Sequence, residues 1–335
     1  MQLRARISAR LRPPALVAVL LLASAGCSQS PVADPARTVE STQPVESAQR
    51  PSDSTPSSGA SHAVTIMGAG DMGGDQQDAA STADLIRAAD PDAVFTTGDN
   101  AYPDGSQANY AARYGPTWGS LKDRTHPTPG NHDYNTGDAT GYTSYFGVEN
   151  VTNSVDGGVY YAWDVGNGWR AYAVNTEVST SGAQLTWLRD DVAAHPGLHY
   201  ILYGHRPRYT SGEHAPSKDI CPLWDALADT GGLEIVISGH NHQYERFTPM
   251  GCAGQASPQG ARSFVVGSGG NGLYAFPKTA SGSEFRNNSD YGVLELALYE
   301  NSYDWEFIAS GRGKPASAQA GQVLDKGSQE TSAAG

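Results

Sequence analysis

The pentapeptide Gly98-Asp99-Asn100-Ala101-Tyr102 follows an apolar run and sets a carboxylate and a phenol three residues apart. Further groups of metal-ligating type close other apolar runs: Asp71 after "HAVTIMGAG", Asn131-His132 in "TPGNHD", His205 after "HYILYG", and His240 with His242 in "SGHNH". Taken singly, each has an ordinary structural reading. Gly-Asp after a strand makes a turn, "GNHD" caps a loop, and a lone histidine is more often a satisfied surface or core residue than a ligand. His240 and His242 carry more information, because alternate residues on an extended segment point to one side. The full set, in order and each at a strand end, is hard to explain as separate accidents. Asp71 and Asp99 converging without a cation would repel, and one would be driven to protonate. Two metal ions remove that conflict. Carboxylates and imidazoles suit iron, zinc or manganese, and a phenolate favours a hard trivalent ion such as iron(III). Ions about 3.5–4 Å apart can hold both oxygens of an in-line phosphoryl displacement.

The elements that must position these groups alternate along the chain. "HAVTIMGAGD" and "DAVFTTGD" read as strands separated by a helix over "QDAASTADLIRAADP". "NYAARYGPTWGSLKDR" reads as a helix and "THPTPGNHD" as a short strand running into a loop. "YYAWDVGNGWRAYAVNTE" is two alternating strands about a Gly-Asn-Gly turn. The helix "SGAQLTWLRDDVAAHPG", the strand "HYILYGH", the helix "CPLWDALADTGG" and the strand "LEIVISGH" follow, and the remainder is strand-rich. This order predicts an α/β fold in which two packed mixed β-sheets are flanked by helices, a single catalytic domain over residues 61–311. In such sheets ligands gather beyond the carboxyl ends of the strands.

Asp71-Met-Gly73, "GDNAY" (98–102), "GNHD" (130–133), "LYGH" (202–205) and "GHNH" (239–242) resemble, in order, the five motif blocks of the purple acid phosphatases, within the calcineurin-like metallophosphoesterases. Tyr102 discriminates. Many other metallophosphoesterases have a histidine where this chain has Gly73, and no tyrosine after the second aspartate. The resemblance implies the metallophosphoesterase-type α/β sandwich and hydrolysis of phosphate monoesters by a hydroxide held on two metals. It implies iron(III) bound by Asp71, Asp99, Tyr102 and His242, and a divalent ion (Fe, Zn or Mn) bound by Asp99, Asn131, His205 and His240. It also implies that Asn131, His132 and His214 face the phosphate, with His132 and His214 binding it and protonating the leaving alkoxide. Leu202 stands where valine is common. With only a tether read before Asp71, the additional β-domain of the larger plant-type enzymes is not expected here. A phosphodiesterase or nucleotidase could use the same metal pair, and a non-catalytic phosphate- or metal-binding lipoprotein is a third reading. Asp133 is expected either to orient an imidazole or to cap its loop. Glu245 and Arg246 read as a structural ion pair, and Asn271-Gly272 as a tight turn.

The chain ends carry other signals. "MQLRARISARLR" has four arginines and no acid, and an apolar run too short for a convincing spanning helix leads to "LLASAGCS". Residues 1–27 therefore read as a signal peptide with a lipobox, Cys27 becoming the lipidated N-terminus of an exported lipoprotein; plain cleavage near Ala25 gives a secreted protein. Residues 28–60 are rich in Ser, Pro, Thr and Gln and read as a disordered tether; residues 312–335 read as a disordered tail. Removing residues 1–26 takes away four arginines and no acid, moving the net charge from −13 to −17. That surface repels nucleic acid. The expected partner is a small-molecule phosphate ester, with membrane contact only through the lipid on Cys27. Export makes a Cys221–Cys252 disulfide the expected pairing.

Overall fold

The computed structural model describes residues 62–147, 159–178 and 180–332. The signal, lipobox and tether expectations over residues 1–60 lie outside the described residues. Among the described residues, thirteen strands form two sheets. The first has the order β13 (Ala320–Glu330), β12 (Ser302–Gly313), β11 (Asp290–Leu298), β1 (Val64–Ala69), β2 (Ala93–Thr96) and β3 (Thr125–His126). The second runs β10 (Ser283–Asn287), β8 (Tyr244–Phe247), β9 (Arg262–Val266), β7 (Leu233–Ser238), β6 (His199–Tyr203), β5 (Trp169–Ala173) and β4 (Tyr161–Gly166). β1, β2 and β3 are mutually parallel, as are β5, β6, β7 and β9. Their carboxyl ends meet at one edge of the molecule.

Side-chain alternation explains the layering. On β6, Ile201 and Tyr203 enter the core between the sheets, where they join Ile66, Val94, Leu294 and Phe307 of the first sheet. Tyr200 and Leu202, pointing the other way, pack beneath α5 (Ala183–Ala194) and α6 (Cys221–Ala228), against Leu188, Leu223 and Trp224. A strand buried on both faces has no polar side to present, which is why these runs read as continuously apolar. α1 (Gln76–Ala89) covers the outer face of the first sheet; Asp75 caps it by accepting from the backbone N–H groups of Gln77 and Asp78. The β4–β5 hairpin turns at Asn167 and Gly168, both at positive φ (51° and 79°), as the Asn-Gly pair predicts. Among the described residues, no helix is long and apolar enough to cross a membrane.

The segment expected as one helix before β3 is helical but irregular: α2 (Gln107–Asn109), a π turn over Tyr110–Tyr114, α3 (Gly115–Thr117) and a 3-10 stretch over Gly119–Arg124 follow one another with right-handed helical backbone at their junctions. Pro116 has no N–H to continue the ladder. α4 (Thr140–Phe146) then packs against this segment. The tail requires a larger correction. β12 extends to Gly313 and β13 pairs with it antiparallel from Ser302↔Glu330 onward, so residues through 330 belong to the sheet. β13 has few apolar residues and is an edge strand. Backbone pairing holds it, together with the buried Asp325, which accepts from Tyr244 Oη (2.8 Å) and Arg246 Nε (2.7 Å). Arg246 also pairs with Glu284, not with Glu245. Neighbouring residues on a strand face opposite ways; Arg246 turns with Tyr244 toward the first sheet, while Glu245 turns away from it and accepts from Ser211 N (2.7 Å) and Ser283 Oγ (2.6 Å). Cys221 and Cys252 form a disulfide, Cα–Cα 5.7 Å, fastening α6 to the loop after β8.

Candidate metal centre

Turns at the strand ends bring eight of the nine sequence-predicted side chains together, and a loop after β6 adds the ninth, His214. Asp71 follows β1, Asp99 and Tyr102 follow β2, Asn131 and His132 follow β3, His205 follows β6, and His240 and His242 follow β7. Asp71, Asp99 and His240 sit at positive φ (59°, 51° and 68°), a conformation uncommon for residues other than glycine that concentrates at functional sites. The chain can pass so closely only with glycine at critical points. A Cβ on Gly130 would meet Asp99 Oδ1 at 2.2 Å, and one on Gly73 would meet the Asn100 carbonyl at 2.5 Å. A histidine at position 73 has no room against the "GDNAY" backbone.

Two donor clusters share one oxygen. In the first, Tyr102 Oη lies 2.9 Å from Asp71 Oδ1, 2.9 Å from Asp99 Oδ2 and 3.1 Å from His242 Nε2. In the second, His205 Nε2 lies 3.4 Å from the same Asp99 Oδ2, 3.1 Å from Asn131 Oδ1 and 3.1 Å from His240 Nδ1. The outer nitrogens of two histidines are committed: His205 Nδ1 donates to Thr97 O (2.8 Å) and His242 Nδ1 to Gly272 O (2.8 Å). A carbonyl can only accept, so a neutral ring at either position turns a lone pair inward. One phenol proton cannot satisfy Asp71, Asp99 and His242 together. The buried acceptors outnumber the protons available to them, which is the donor chemistry of a cation site, and Asp71, Asp99 and His205 form its nucleus.

The electrostatics agree. Burial pushes the Tyr102 phenol well above its ordinary range, and the Asp71 and Asp99 carboxylates push it further. Burial would raise Asp99, but His205 and then His132 outweigh it and hold the carboxyl well below the usual range. For His205 burial acts downward and is overcome by Asp99, which raises the imidazole to about 10. His205 thus holds a proton at the position a cation would take. Burial, then His205, His214 and Arg206, drives His240 down to about 2. His240 therefore stays neutral, the form in which an imidazole can ligate a metal. The residues present fit two metal ions.

The two proposed phosphate-facing histidines flank this centre. His132 donates its backbone N–H to Asp99 Oδ1 (2.8 Å) and its Nδ1 to Pro103 O (2.6 Å), its ring centroid 4.4 Å from that of Tyr102. His214 stacks on His240 at 4.3 Å. Its position comes from a residue the sequence reading passed over: Asn241, fully buried between the two histidines of "GHNH", accepts from His214 N (2.9 Å) and donates to His214 O (3.2 Å). Tyr274 was likewise missed; it stacks on His242 at 3.9 Å and meets the edge of His214 at 5.3 Å. Asn271-Gly272 does more than turn, since Asn271 N donates to Asp71 O (2.8 Å) and Gly272 O orients His242. Asp133 takes the loop-capping role, accepting from Gly130 N (2.9 Å), Asn100 Nδ2 (3.1 Å) and Tyr110 Oη (2.7 Å), and it touches no imidazole. Burial, then Asp99, raises it to about 6.

The calcineurin-like phosphoesterase family model matches residues 64–244, more than half of the chain, and the chain belongs to that family. Within it the resemblance is to purple acid phosphatases. Purple acid phosphatase 21 of Arabidopsis thaliana is 29% identical over 267 residues, 70% of this chain and 57% of the relative. Purple acid phosphatase 22 of the same plant is 27% identical over 263 residues, 68% and 56% of the two chains. The chain thus spans a little over half the length of these curated relatives. A purple acid phosphatase from yellow lupin (Lupinus luteus) seeds superposes with a TM-score of 0.60 at 19% identity, covering 80% of this chain and 54% of that one. A dimetal phosphatase from Danio rerio gives 0.56 at 12% identity, covering 80% and 99%. At these identities the structural likeness shows the fold.

Proposed function

We propose that the protein is an exported phosphomonoesterase of the purple acid phosphatase type, anchored through a lipid on Cys27. Asp71, Asp99, Tyr102 and His242 would hold iron(III); Asp99, Asn131, His205 and His240 would hold a divalent Fe, Zn or Mn. The observation that carries this reading is the placement of Asp99 Oδ2 in both donor clusters, 2.9 Å from Tyr102 Oη and 3.4 Å from His205 Nε2. When bound, such an ion pair supplies Lewis acidity and an activated water. The chain's own residues do the rest. Thr97 O and Gly272 O fix the inward nitrogens of His205 and His242. His132, beside Tyr102, and His214, stacked on His240, bind the phosphoryl oxygens. His214, held by Asn241, delivers a proton as the ester oxygen leaves. The rings of Tyr274 and His214 shield His242 and His240 from bulk water.

The reading is tested by comparing an aryl phosphate, a bis-aryl phosphate and an alkyl phosphate, with iron and zinc or manganese supplied. Faster turnover of the monoesters supports it; preference for the diester, or rates equal to buffer, defeats it.

A further inference from the structure

Arg206 follows the ligand-type His205 directly, and its guanidinium is fixed from behind. Nε donates to Glu177 Oε1 (2.8 Å) and Nη2 to Glu177 Oε2 (2.7 Å). The Glu177 side chain is 8% exposed, against 34% for Arg206. Its backbone N–H donates to Asn175 Oδ1 (3.0 Å), and Thr176 Oγ1 donates to Oε1 (3.2 Å) while accepting from Arg206 N (3.1 Å). Two of the three guanidinium nitrogens are therefore committed. The third, Nη1, lies 3.3 Å from His240 Nε2, at a partly exposed position within electrostatic reach of Asp99.

This contact has a consequence once His240 ligates through Nδ1. The single ring proton of a neutral imidazole must then sit on Nε2. A guanidinium only donates. Two N–H groups consequently face one another with no acceptor between them, and an anionic oxygen resolves the mismatch by accepting from both. We propose that Arg206 Nη1 and His240 Nε2 form a subsite for a second anionic group on the substrate, and that the site takes phosphate esters carrying a further phosphate or carboxylate close to the reacting ester. Nucleotide-like and diphosphate-like compounds belong to this class; simple aryl and alkyl phosphates lack the second anion and bind more weakly. The inference rests on the dimetal reading, since without a cation at Nδ1 the proton can reside there and Nε2 can accept from Arg206.

The test is equilibrium binding to the metal-loaded protein, by calorimetry, of two non-hydrolysable probes: methylphosphonate and phosphonoacetate, which adds a carboxylate. Metal content is measured before and after titration. The wild type should bind phosphonoacetate about tenfold more tightly, the effect of one additional charge-assisted contact. Arg206→Ala and Arg206→Gln should bring the two affinities within about twofold of each other, with both ions retained. An unchanged preference in the variants, or no preference in the wild type, overturns the proposal. Loss of metal in both variants also overturns it, by assigning Arg206 to the support of His240. A wild type that holds two ions yet binds neither probe, or that holds no ion, refutes the dimetal phosphatase reading and the subsite with it.

Discussion

Asn241→Ala separates the positioning of the proposed acid from the binding of metal. The asparagine amide makes two hydrogen bonds to a single residue, at 2.9 Å from His214 N and 3.2 Å to His214 O, and its side chain is fully buried. Each bond is worth about 1 kcal/mol net, and leaving a partly buried partner unmatched adds to the loss, so truncation costs about 2–3 kcal/mol. If the cost falls on the His214 loop alone, the open population of that loop rises by roughly 30- to 140-fold. If it falls on global unfolding instead, Tm drops by about 4–12 °C. Amide exchange at His214, read beside a thermal melt, distinguishes the two. The expected result is faster exchange at His214, a small change in Tm, retained metal and reduced turnover. That reduction should be larger for alkyl than for aryl phosphates, because a good leaving group needs little protonation. Unchanged exchange at His214, or an equal loss for both substrate types, would refute the assignment of Asn241 as the residue that holds the acid in place.

Three further outcomes follow from the same geometry. Asn131→Ala should weaken the divalent ion selectively, because Asn131 Oδ1 meets only the His205 side of the centre; elemental analysis showing equal loss of both ions counts against the assignment. Metal uptake at pH 7 should release about two protons per chain, since His205 is raised to about 10 and the Tyr102 phenol lies well above its ordinary range before binding. Calorimetry in buffers of different ionisation enthalpy measures this, and the apparent affinity should fall as pH is lowered; binding without proton release contradicts it. Reducing the Cys221–Cys252 bridge, which closes a separation of 31 residues, should cost about 3.5–4 kcal/mol in the chain-entropy account. That corresponds to a Tm lower by about 7–16 °C, and an unchanged melt would show the bridge to be dispensable.

The parts of this molecule that were legible in the sequence share a physical cause. Strand-end residues such as Asp71, Asp99, His205 and His240 follow apolar runs that the core demands, so sequence order alone places them at one edge. Tyr102 was legible because it lies three residues from Asp99, within one turn. The supports were not legible, because they are long-range and chemically ordinary. Asn241 meets His214 across 27 residues, Gly272 meets His242 across 30, and Arg206 meets Glu177 across 29. Asn, Gly and an Arg–Glu pair carry no motif of their own. β13 escaped notice for a different reason. With Val323 and Leu324 as its only large apolar residues, it lacks the alternating pattern of a half-buried strand, and its place in the sheet depends on backbone pairing and the polar contacts of Asp325. Glu245 and Arg246 show the limit of adjacency, since opposite charges side by side on a strand face apart.

The central claim, two ions bridged by Asp99 with Tyr102 on iron(III), is tested most directly by elemental analysis of the purified full chain combined with its visible spectrum. The account predicts two metal ions per chain, one of them iron, and a visible tyrosinate-to-iron(III) charge-transfer band that Tyr102→Phe abolishes. A colourless, iron-free protein with full phosphatase activity, or a band unaffected by Tyr102→Phe, would contradict it.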